Sequence, residues 1–426
     1  MEEILGIEAS LTEAPGIGGK LRIRPEDFIV EEVSIPLTKA KDGRYTVAKI
    51  RARNWETNRL VRILARTLRI SRRRIRFAGT KDKRAVTTQL VQFDSPPEML
   101  GNLNIKDIEI LDVFQTDKRI DLGNLLGNRF RVRIGNIKLS RSETLERVSR
   151  ITHSIIEIGG FPNFFGVQRF GAARPITHVI GRKICRDDFE GAVLSYLGHP
   201  FPTESDDVQE ARRLLDNSHD FSGALKAFPK NLSFERAILN HLVKNPEDFV
   251  GAILSLPPNL QMMFVHAYQS YLFNKILSKR LRRSLPLHEP ILGDLILPAK
   301  NDGLPDRRRP VLVNEGNITK AARRVQEGKA FVSGLILGTN PHYADGEMGE
   351  IETSVIEREG VKPQDFLVPK IPRISSKGSR REILGPLKDF EFYVGEDFVK
   401  ASFELIPGSY ATSLLREFMK TDMMSY

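Results

Sequence analysis

Residues 76–89 read Arg-Phe-Ala-Gly-Thr-Lys-Asp-Lys-Arg-Ala-Val-Thr-Thr-Gln. The apolar positions at 75–77 predict a strand that stops at the Gly-Thr pair. Residues 85–93, rich in Val and Thr, predict a second strand. Asp82 therefore lies on a predicted loop between two strands.

The charged neighbours of Asp82 indicate its ionisation state. Lys81, Lys83 and Arg84 flank it, and nearby cations favour the charged form of a carboxyl group. An ionised, positioned carboxylate can act as a nucleophile or as a general base. The alternative is a basic hairpin tip in which the Asp only stabilises the turn, and the segment alone leaves both readings open.

The positive charge of the chain is concentrated around this segment. The protein has 65 Lys plus Arg against 54 Asp plus Glu, a net charge of +11. In residues 51–84 the only acids are Glu56 and Asp82, and the bases are Arg51, Arg53, Arg59, Arg62, Arg66, Arg69, Arg72, Arg73, Arg74, Arg76, Lys81, Lys83 and Arg84. A polyphosphate partner suits such a face because each neutralised phosphate releases counterions. A solvated charged face is the alternative, but the alternation with apolar residues indicates folded structure and favours nucleic acid.

Several kinds of chemistry lack their sequence features. The single cysteine, Cys185, excludes intrachain disulfides and multi-cysteine zinc sites. The acid pairs at 187–188 and 206–207 have no histidine at ligand spacing, so we expect no metal. No P-loop or serine-hydrolase motif occurs. The acidic N-terminus and the absence of a long apolar run predict no signal peptide, no membrane span and a cytoplasmic location.

Periodicity predicts further elements and an α+β class for the first 160 residues. After residue 162 the chain becomes mostly helical, with shorter helices broken by Gly and Pro. The predicted strands are 22–33 with a Pro-Glu-Asp turn inside it, 45–50, 129–134, 390–394 and 399–405. The predicted helices are 58–69, 145–158, 260–277 and 411–420, and the predicted loops are 302–310 and 340–349.

Seven sequence blocks, in order along the chain, resemble the tRNA pseudouridine synthase D (TruD) family, in its archaeal form. The first two are residues 24–32 (Arg-Pro-Glu-Asp-Phe-Ile-Val-Glu-Glu) and 79–89 around Asp82. The other five are Gly127-Asn128-Arg129-Phe130, residues 163–171, Gln269-Ser270-Tyr271-Leu272-Phe273-Asn274, Ser379-Arg380-Arg381, and Gly408-Ser409-Tyr410-Ala411-Thr412 with Leu415-Arg416-Glu417. The resemblance spans nearly the whole chain.

The resemblance implies a role for individual residues. Asp82 matches the catalytic nucleophile, and Phe130 matches a residue that packs in the substrate pocket. The positions that contact the target nucleotide match Phe28, Asn128 and Tyr410, the last being Phe in many members. Arg22 is a candidate ion-pair partner of Asp82, or alternatively a phosphate ligand or an ordinary strand residue. Contacts to the RNA backbone are assigned to Arg169, Arg380 and Arg381.

The resemblance also implies the architecture and the reaction. A pseudouridine synthase catalytic domain, with a mixed, mainly antiparallel sheet and flanking helices, is expected in residues 1–160 plus 385–426. A large inserted α/β TRUD domain is expected in residues 161–384. The expected activity is isomerisation of a uridine in tRNA, at position 13 of the D-arm, by a monomer without a cofactor. The alternatives are a non-catalytic tRNA-binding or RNA-chaperone protein on the same fold and, with less support, a metal-dependent nuclease.

Overall fold

The computed structural model of the protein describes residues 2–81, 83–101, 103–171, 173–422 and 425–426. The chain divides into two compact units. The nine-stranded unit contains residues 11–161 and 385–426, and the four-stranded unit contains residues 2–10 and 162–384. Residues 2–10 thus pack with the four-stranded unit, whereas the sequence led us to expect them in the other.

The described residues form thirteen strands and twelve α-helices. The strands are β1 (Phe28–Ser34), β2 (Tyr45–Arg53), β3 (Ile75–Phe77), β4 (Val86–Phe93), β5 (Ile108–Thr116), β6 (Leu125–Ile134), β7 (Gly160–Pro162), β8 (Leu295–Pro298), β9 (Val311–Leu312), β10 (Ala330–Ile336), β11 (Ser379–Glu382), β12 (Leu384–Val394) and β13 (Val399–Leu405). The helices are α1 (Thr57–Thr67), α2 (Arg141–Glu157), α3 (Thr177–Cys185), α4 (Phe189–Leu197), α5 (Asp206–Ser218), α6 (Phe221–Ala227), α7 (Ser233–Lys244), α8 (Phe249–Leu254), α9 (Pro258–Arg282), α10 (Ile318–Gln326), α11 (Gly346–Glu359) and α12 (Ala411–Met419).

The nine-stranded sheet has the order β5-β2-β4-β1-β6-β13-β12-β7, and β3 pairs with β4. Strands β1 and β4 run parallel. The pairs β1–β6, β2–β4, β2–β5, β3–β4, β6–β13 and β12–β13 are antiparallel. The sheet is therefore mixed and mainly antiparallel, which confirms the predicted α+β class.

One face of this sheet carries the helices of the unit. The register places Ala52, Thr87, Val30, Phe130 and Phe403 side by side on five neighbouring strands. Directly paired residues point to the same side of a sheet. The buried side of α1 packs near Ala52, and α2 and α12 pack near Phe130 and Phe403. We call this side of the sheet the helix face.

Local patterns explain why these elements form where they do. In β6 buried and exposed residues alternate, with Phe130 and Val132 inside and Arg129 and Arg131 outside, as a half-buried strand requires. Helix α2 begins with a capping box in which the side chain of Ser140 and that of Glu143 each bind the other's backbone. Element type is thus set by period and by end-capping residues.

Two sequence predictions are wrong in detail. The strand expected from residue 22 begins only at Phe28, because Arg22 has a φ of 53°, in the left-handed region that a strand cannot contain. The loop expected at 340–349 ends where α11 begins at Gly346. Its first turn contains two glycines, which are unfavourable in helices, so the sequence suggested a loop. The buried Met348, Ile351 and Val355 nevertheless show helical spacing.

The four-stranded unit surrounds the long helix α9 with helices and one small sheet. The sheet has the order β11-β10-β8-β9 and the described pairs are antiparallel. Helix α3 lies against α9, and both contribute to a large apolar core that includes Ile180, Phe264 and Leu272. The helical prediction for this region was right, but the residue patterns alone did not reveal its sheet. None of the helices in the described residues is both long and apolar enough to cross a membrane.

Candidate active site

The segment between β3 and β4 is held to the unit on both sides of residue 82. Before it, the backbone N–H of Lys81 donates to Oγ1 of Thr57 at 2.8 Å. After it, a guanidinium nitrogen of Arg84 donates to the backbone carbonyl of Arg22 at 3.0 Å. Asp82 itself lies outside the described residues. Its chain neighbours are thus anchored to the start of α1 and to the segment before β1.

The side chain of Lys81 turns inward. Its Nζ lies 2.7 Å from Oε2 of Glu32, and the two side chains are 3% and 1% exposed. The other carboxylate oxygen of Glu32 accepts a hydrogen bond from the hydroxyl of Ser34 at 2.9 Å. The sequence suggested that Lys81 supplies positive charge to Asp82; the structure instead pairs that charge with Glu32. No local pattern pointed to Glu32, which is 49 residues away in the chain.

Glu32 lies beside Asn128 on the helix face. The two residues are direct partners in the antiparallel pairing of β1 with β6. The side-chain Oδ1 of Asn128 is buried and has no hydrogen-bond partner among the described residues. A buried acceptor without a partner is unfavourable, so this oxygen is suited to a donor brought by a ligand or by water.

Gln89 carries a second such group. Its Nε2 is buried and has no partner among the residues that the structure describes. Its Oε1 lies 3.4 Å from the Thr57 hydroxyl that binds Lys81. Gln89 was quoted within the Asp82 segment, but its periodicity indicated only a strand residue. The structure adds it to the polar groups near Lys81.

Aromatic rings form the apolar part of the site. The rings of Phe28 and Phe130 meet edge to face, with centroids 6.0 Å apart, and Phe130 stacks on Phe403 at 5.3 Å. Phe28 is 1% and Phe130 7% exposed. Both rings therefore form a packed wall, with protein on most of their surface.

Arg22 lies in the loop before β1, and Tyr410 lies directly before α12. The guanidinium carbon of Arg22 lies 4.1 Å above the centroid of the Phe28 ring, within the range of a cation–π contact. Tyr410 is half-buried and is the residue before the first turn of α12. The structure thus brings Arg22 to Phe28 and places Tyr410 at the start of α12.

A row of exposed arginines follows α1. The buried side of the helix includes Leu60, Val61 and Leu64, and a short turn at Arg72–Arg74 follows. We define the arginine ridge as the exposed residues Arg59, Arg62, Arg66, Arg69, Arg72 and Arg73. Within the described residues none of them forms an ion pair, whereas Arg51, Arg53 and Arg76 each do. The ridge is therefore a surface of unneutralised charge.

The prediction that Arg380 contacts the RNA backbone is wrong. Its side chain is 1% exposed and its guanidinium pairs with Glu352 at 2.7 Å. It also donates to the carbonyls of Ser333 and His342. These contacts use its donors inside the four-stranded unit, where a phosphate cannot reach them.

Arg381 is also internal, contrary to the prediction. It is 5% exposed, and its guanidinium donates to Oδ1 of Asn163 at 2.8 Å. The guanidinium carbon lies 4.2 Å from the centroid of Phe165. Backbone groups of Phe165 in turn bind the amide of Asn274. The blocks at 163–171, 269–274 and 379–381 thus hold one another in place within the four-stranded unit.

Arg169 differs from these two because it is only partly buried. Its guanidinium carbon lies 5.3 Å from the centroid of Phe165. Burial, and then the nearby Arg169 cation, lowers the pKa of His266. The contact of Arg169 with the RNA backbone stays a prediction.

Comparison with known proteins agrees with this arrangement. The family model described as tRNA pseudouridine synthase D (TruD) matches residues 4–418. A Methanococcoides burtonii relative named for this enzyme is 44% identical, over 99% of this chain and 98% of its own length. A Halobacterium salinarum relative of the same name is 38% identical, over 99% of this chain and 97% of its own.

A solved structure is also similar over the full length. The crystal structure described as tRNA pseudouridine synthase D of Methanosarcina mazei is 39% identical, with a TM-score of 0.85, covering 100% of this chain and 98% of that one. The fold and these matches define the class as the pseudouridine synthases, which are isomerases. Within that class the chain belongs to the tRNA pseudouridine synthase D (TruD) family.

Proposed function

We propose that this protein isomerises a uridine of tRNA, at position 13 in the D-arm, to pseudouridine, with Asp82 as the nucleophile. One observation carries the proposal. Lys81, the residue before Asp82, binds Glu32, whose partner across the sheet is Asn128 with its unpartnered buried oxygen. Lys81 thereby ties the chain next to residue 82 to the strand pair that carries Asn128, which supports a role for both residues in one site.

The reaction is an internal rearrangement of the nucleoside. The glycosidic bond from the ribose to N1 of uracil breaks, the base turns, and C5 of the base forms the new bond to the ribose. C5 loses its proton and N1 gains one, so atoms balance and no co-reactant is consumed. Asp82 initiates the reaction by adding to the sugar or the base, or by assisting a glycal route.

The detached uracil has to be retained while it turns. Asn128 offers a hydrogen-bond acceptor, and the ring of Tyr410 offers a surface for stacking. Phe28 and Phe130 form the apolar wall on the side of the sheet that carries Asn128. Arg22, which lies over Phe28, is the candidate partner of Asp82. The side-chain amide of Gln89 is a further group that can donate a hydrogen bond to the base.

The target uridine belongs to a folded tRNA and must leave its stack before it can react. The arginine ridge supplies the charge that binds the phosphates, and each contact releases counterions. Arg169 is the corresponding candidate in the four-stranded unit. Binding to the backbone offsets the free energy of unstacking, a few kcal/mol.

The two units match two roles. The nine-stranded unit, which carries Lys81, Asn128 and the arginine ridge, serves as the catalytic domain. The four-stranded unit serves as the inserted TRUD domain. Compared with the boundaries expected from the sequence, residues 2–10 move to the inserted domain.

The test is a map of pseudouridine in tRNA transcripts treated with the wild-type protein and with Asp82→Asn. We expect pseudouridine at position 13 with the wild type, none with Asp82→Asn, and equal tRNA affinity for both. Full activity of Asp82→Asn would exclude that residue as the nucleophile. Binding without pseudouridine in any tRNA would instead support a non-catalytic RNA-binding protein.

A further inference from the structure

The ion pair between Lys81 and Glu32 is unusually enclosed for two charged side chains. The Nζ–Oε2 distance is 2.7 Å, and the side chains are 3% and 1% exposed. Buried charges lose their hydration, and a buried pair is often no more stabilising than two apolar residues of the same size. Stability alone therefore does not account for a salt bridge at this position.

Both partners are themselves fixed. Glu32 belongs to β1, which has β4 and β6 as its neighbours in the sheet, and its second oxygen is held by Ser34. Lys81 is fixed through its backbone as well, because its N–H binds the hydroxyl of Thr57, a residue 1% exposed. A hydrogen-bonded ion pair between two fixed partners therefore holds the side chain of Lys81 in one direction and keeps it buried.

The pair holds the segment at the residue directly before Asp82. Between the end of β3 at Phe77 and the start of β4 at Val86, no described residue belongs to a helix or strand. Backbone hydrogen bonds from Gly123 and Asn54 hold the two ends of this stretch, at the carbonyls of Ala78 and Ala85. Side-chain contacts hold the part in between. Lys81 provides two of these contacts immediately before residue 82, and Arg84 provides one after it.

We propose that Glu32 and Lys81 are positioning residues, whose ion pair holds the segment that carries Asp82 in its reactive place. The proposal rests on the proposed function, in which Asp82 is the nucleophile. Lys81 acts here by fixing the chain. Its charge is matched by Glu32 at 2.7 Å, so we assign it no role as a cation that acts on Asp82.

Two other roles make different predictions. If Lys81 acted by charge, its removal would raise the pKa of Asp82 and shift the acidic limb of the rate profile to higher pH. If the pair served only to stabilise the fold, an apolar pair of similar size would restore both stability and rate. A positioning pair predicts a lower rate, an unmoved acidic limb and no restoration of rate by apolar residues.

The experiment uses the full-length protein and tRNA transcripts. The variants are Glu32→Gln, Lys81→Met and the double variant Glu32→Leu with Lys81→Met, each measured for kcat, tRNA Kd, thermal unfolding and the pH dependence of kcat. We expect kcat to fall about 10- to 100-fold in each, since a displacement near 1 Å has an effect of that order. Kd and the acidic limb should not change, and the apolar double variant should regain the unfolding temperature but not kcat.

Glu31→Gln is the matched control. Glu31 is the preceding residue on β1 and pairs with Arg131 at 2.6 Å, but these side chains are 35% and 56% exposed. The same chemical change there should leave kcat within about twofold, as exposed pairs contribute little. Wild-type protein and Asp82→Asn are measured in parallel. Failure of the proposed function is then recognised separately, because the wild type would form no pseudouridine or Asp82→Asn would form as much as the wild type.

Three results would overturn the inference. The first is an unchanged kcat in a folded Glu32→Gln or Lys81→Met protein. The second is full recovery of kcat in the apolar double variant, which would make the pair a stabilising contact only. The third is a shift of the acidic limb in Lys81→Met that accounts for the whole loss of rate. If a single variant does not fold, the double variant decides between these outcomes.

Discussion

The guanidinium carbon of Arg22 lies over the ring of Phe28, 4.1 Å from the centre of that ring. Arg22 reaches this position from a left-handed backbone, with a φ of 53°. Such a conformation is unfavourable for a residue with a side chain and persists where surrounding contacts enforce it. The N–H groups of a guanidinium lie in its own plane, so a contact of its face with a ring is compatible with a contact of its edge with a carboxylate.

Replacement of Arg22 by lysine tests the contact between its guanidinium and the ring of Phe28. Lysine keeps the charge but loses the planar group that lies over Phe28. We expect kcat/KM to fall about 2- to 30-fold, which corresponds to the value of about 0.5–2 kcal/mol for a cation–π contact. Methionine at this position should lower it further, because the charge is lost as well. The control is Arg24→Met, since Arg24 is 71% exposed and lies 3.8 Å from Asp27; equal losses in both would contradict the role of Arg22.

The arginine ridge should determine the salt dependence of tRNA binding. In the triple variant Arg59→Gln, Arg62→Gln, Arg66→Gln, we expect weaker binding and a log–log salt slope smaller by about 2–3, since each lost contact contributes about 0.7–0.9. Filter binding or anisotropy at several salt concentrations measures this slope.

The control for the ridge removes the same charge elsewhere in the nine-stranded unit. Arg51, Arg131 and Arg133 are already paired with Glu109, Glu31 and Asp397. These arginines alternate along β2 and β6 with residues of the helix face, so they lie on the opposite side of the sheet. Their replacement by Gln should change the slope little. An equal effect of both triple variants would indicate non-specific attraction.

Arg380 should affect stability and not RNA affinity. Arg380→Met leaves Glu352 buried without its partner, at 0% exposure. Loss of one member of a buried pair typically lowers the free energy of unfolding by about 3–5 kcal/mol. Urea unfolding measures this loss, and the additional change Glu352→Leu should recover most of it. A tRNA affinity that falls in the folded double variant would restore the original assignment to RNA.

His178 should make the four-stranded unit sensitive to acid. Burial lowers the pKa of His178 to about 4 from an ordinary value of 6.5. The unfolded chain therefore binds a proton first as the pH falls, so stability is lost between pH 6.5 and pH 4, by about 3 kcal/mol in total. Above this range the histidine is neutral in both states and has no such effect.

His178→Phe isolates this contribution, because it keeps a ring against Tyr271, whose centroid lies 5.0 Å away, and removes the titration. Urea unfolding of both proteins near neutral pH and near pH 4 gives the comparison. The wild type should lose about 3 kcal/mol more than the variant over this interval. A difference between the two proteins that does not depend on pH would show that His178 does not titrate as described.

Much of the fold follows from local patterns. The alternation at 129–134 predicts β6, and the β-branched run at 85–93 predicts β4, which begins at Val86. The helix predicted at 58–69 is α1. Where a short stretch contains the period and the end signals of an element, its type follows from that stretch. Strand β5 was not predicted, because its residues are mostly half-buried or exposed and show no regular alternation.

The sequence by itself determined the family, through blocks in order along the chain, and the type of those elements whose period and end signals lie within one short stretch. The tertiary structure decided which charges meet. It paired Lys81 with Glu32 and Arg380 with Glu352, and so turned two expected surface cations into internal contacts. The physical reason is that such pairs depend on which distant elements become neighbours, β1 beside β4 in the first pair and β11 beside α11 in the second. No single local pattern encodes such a neighbourhood.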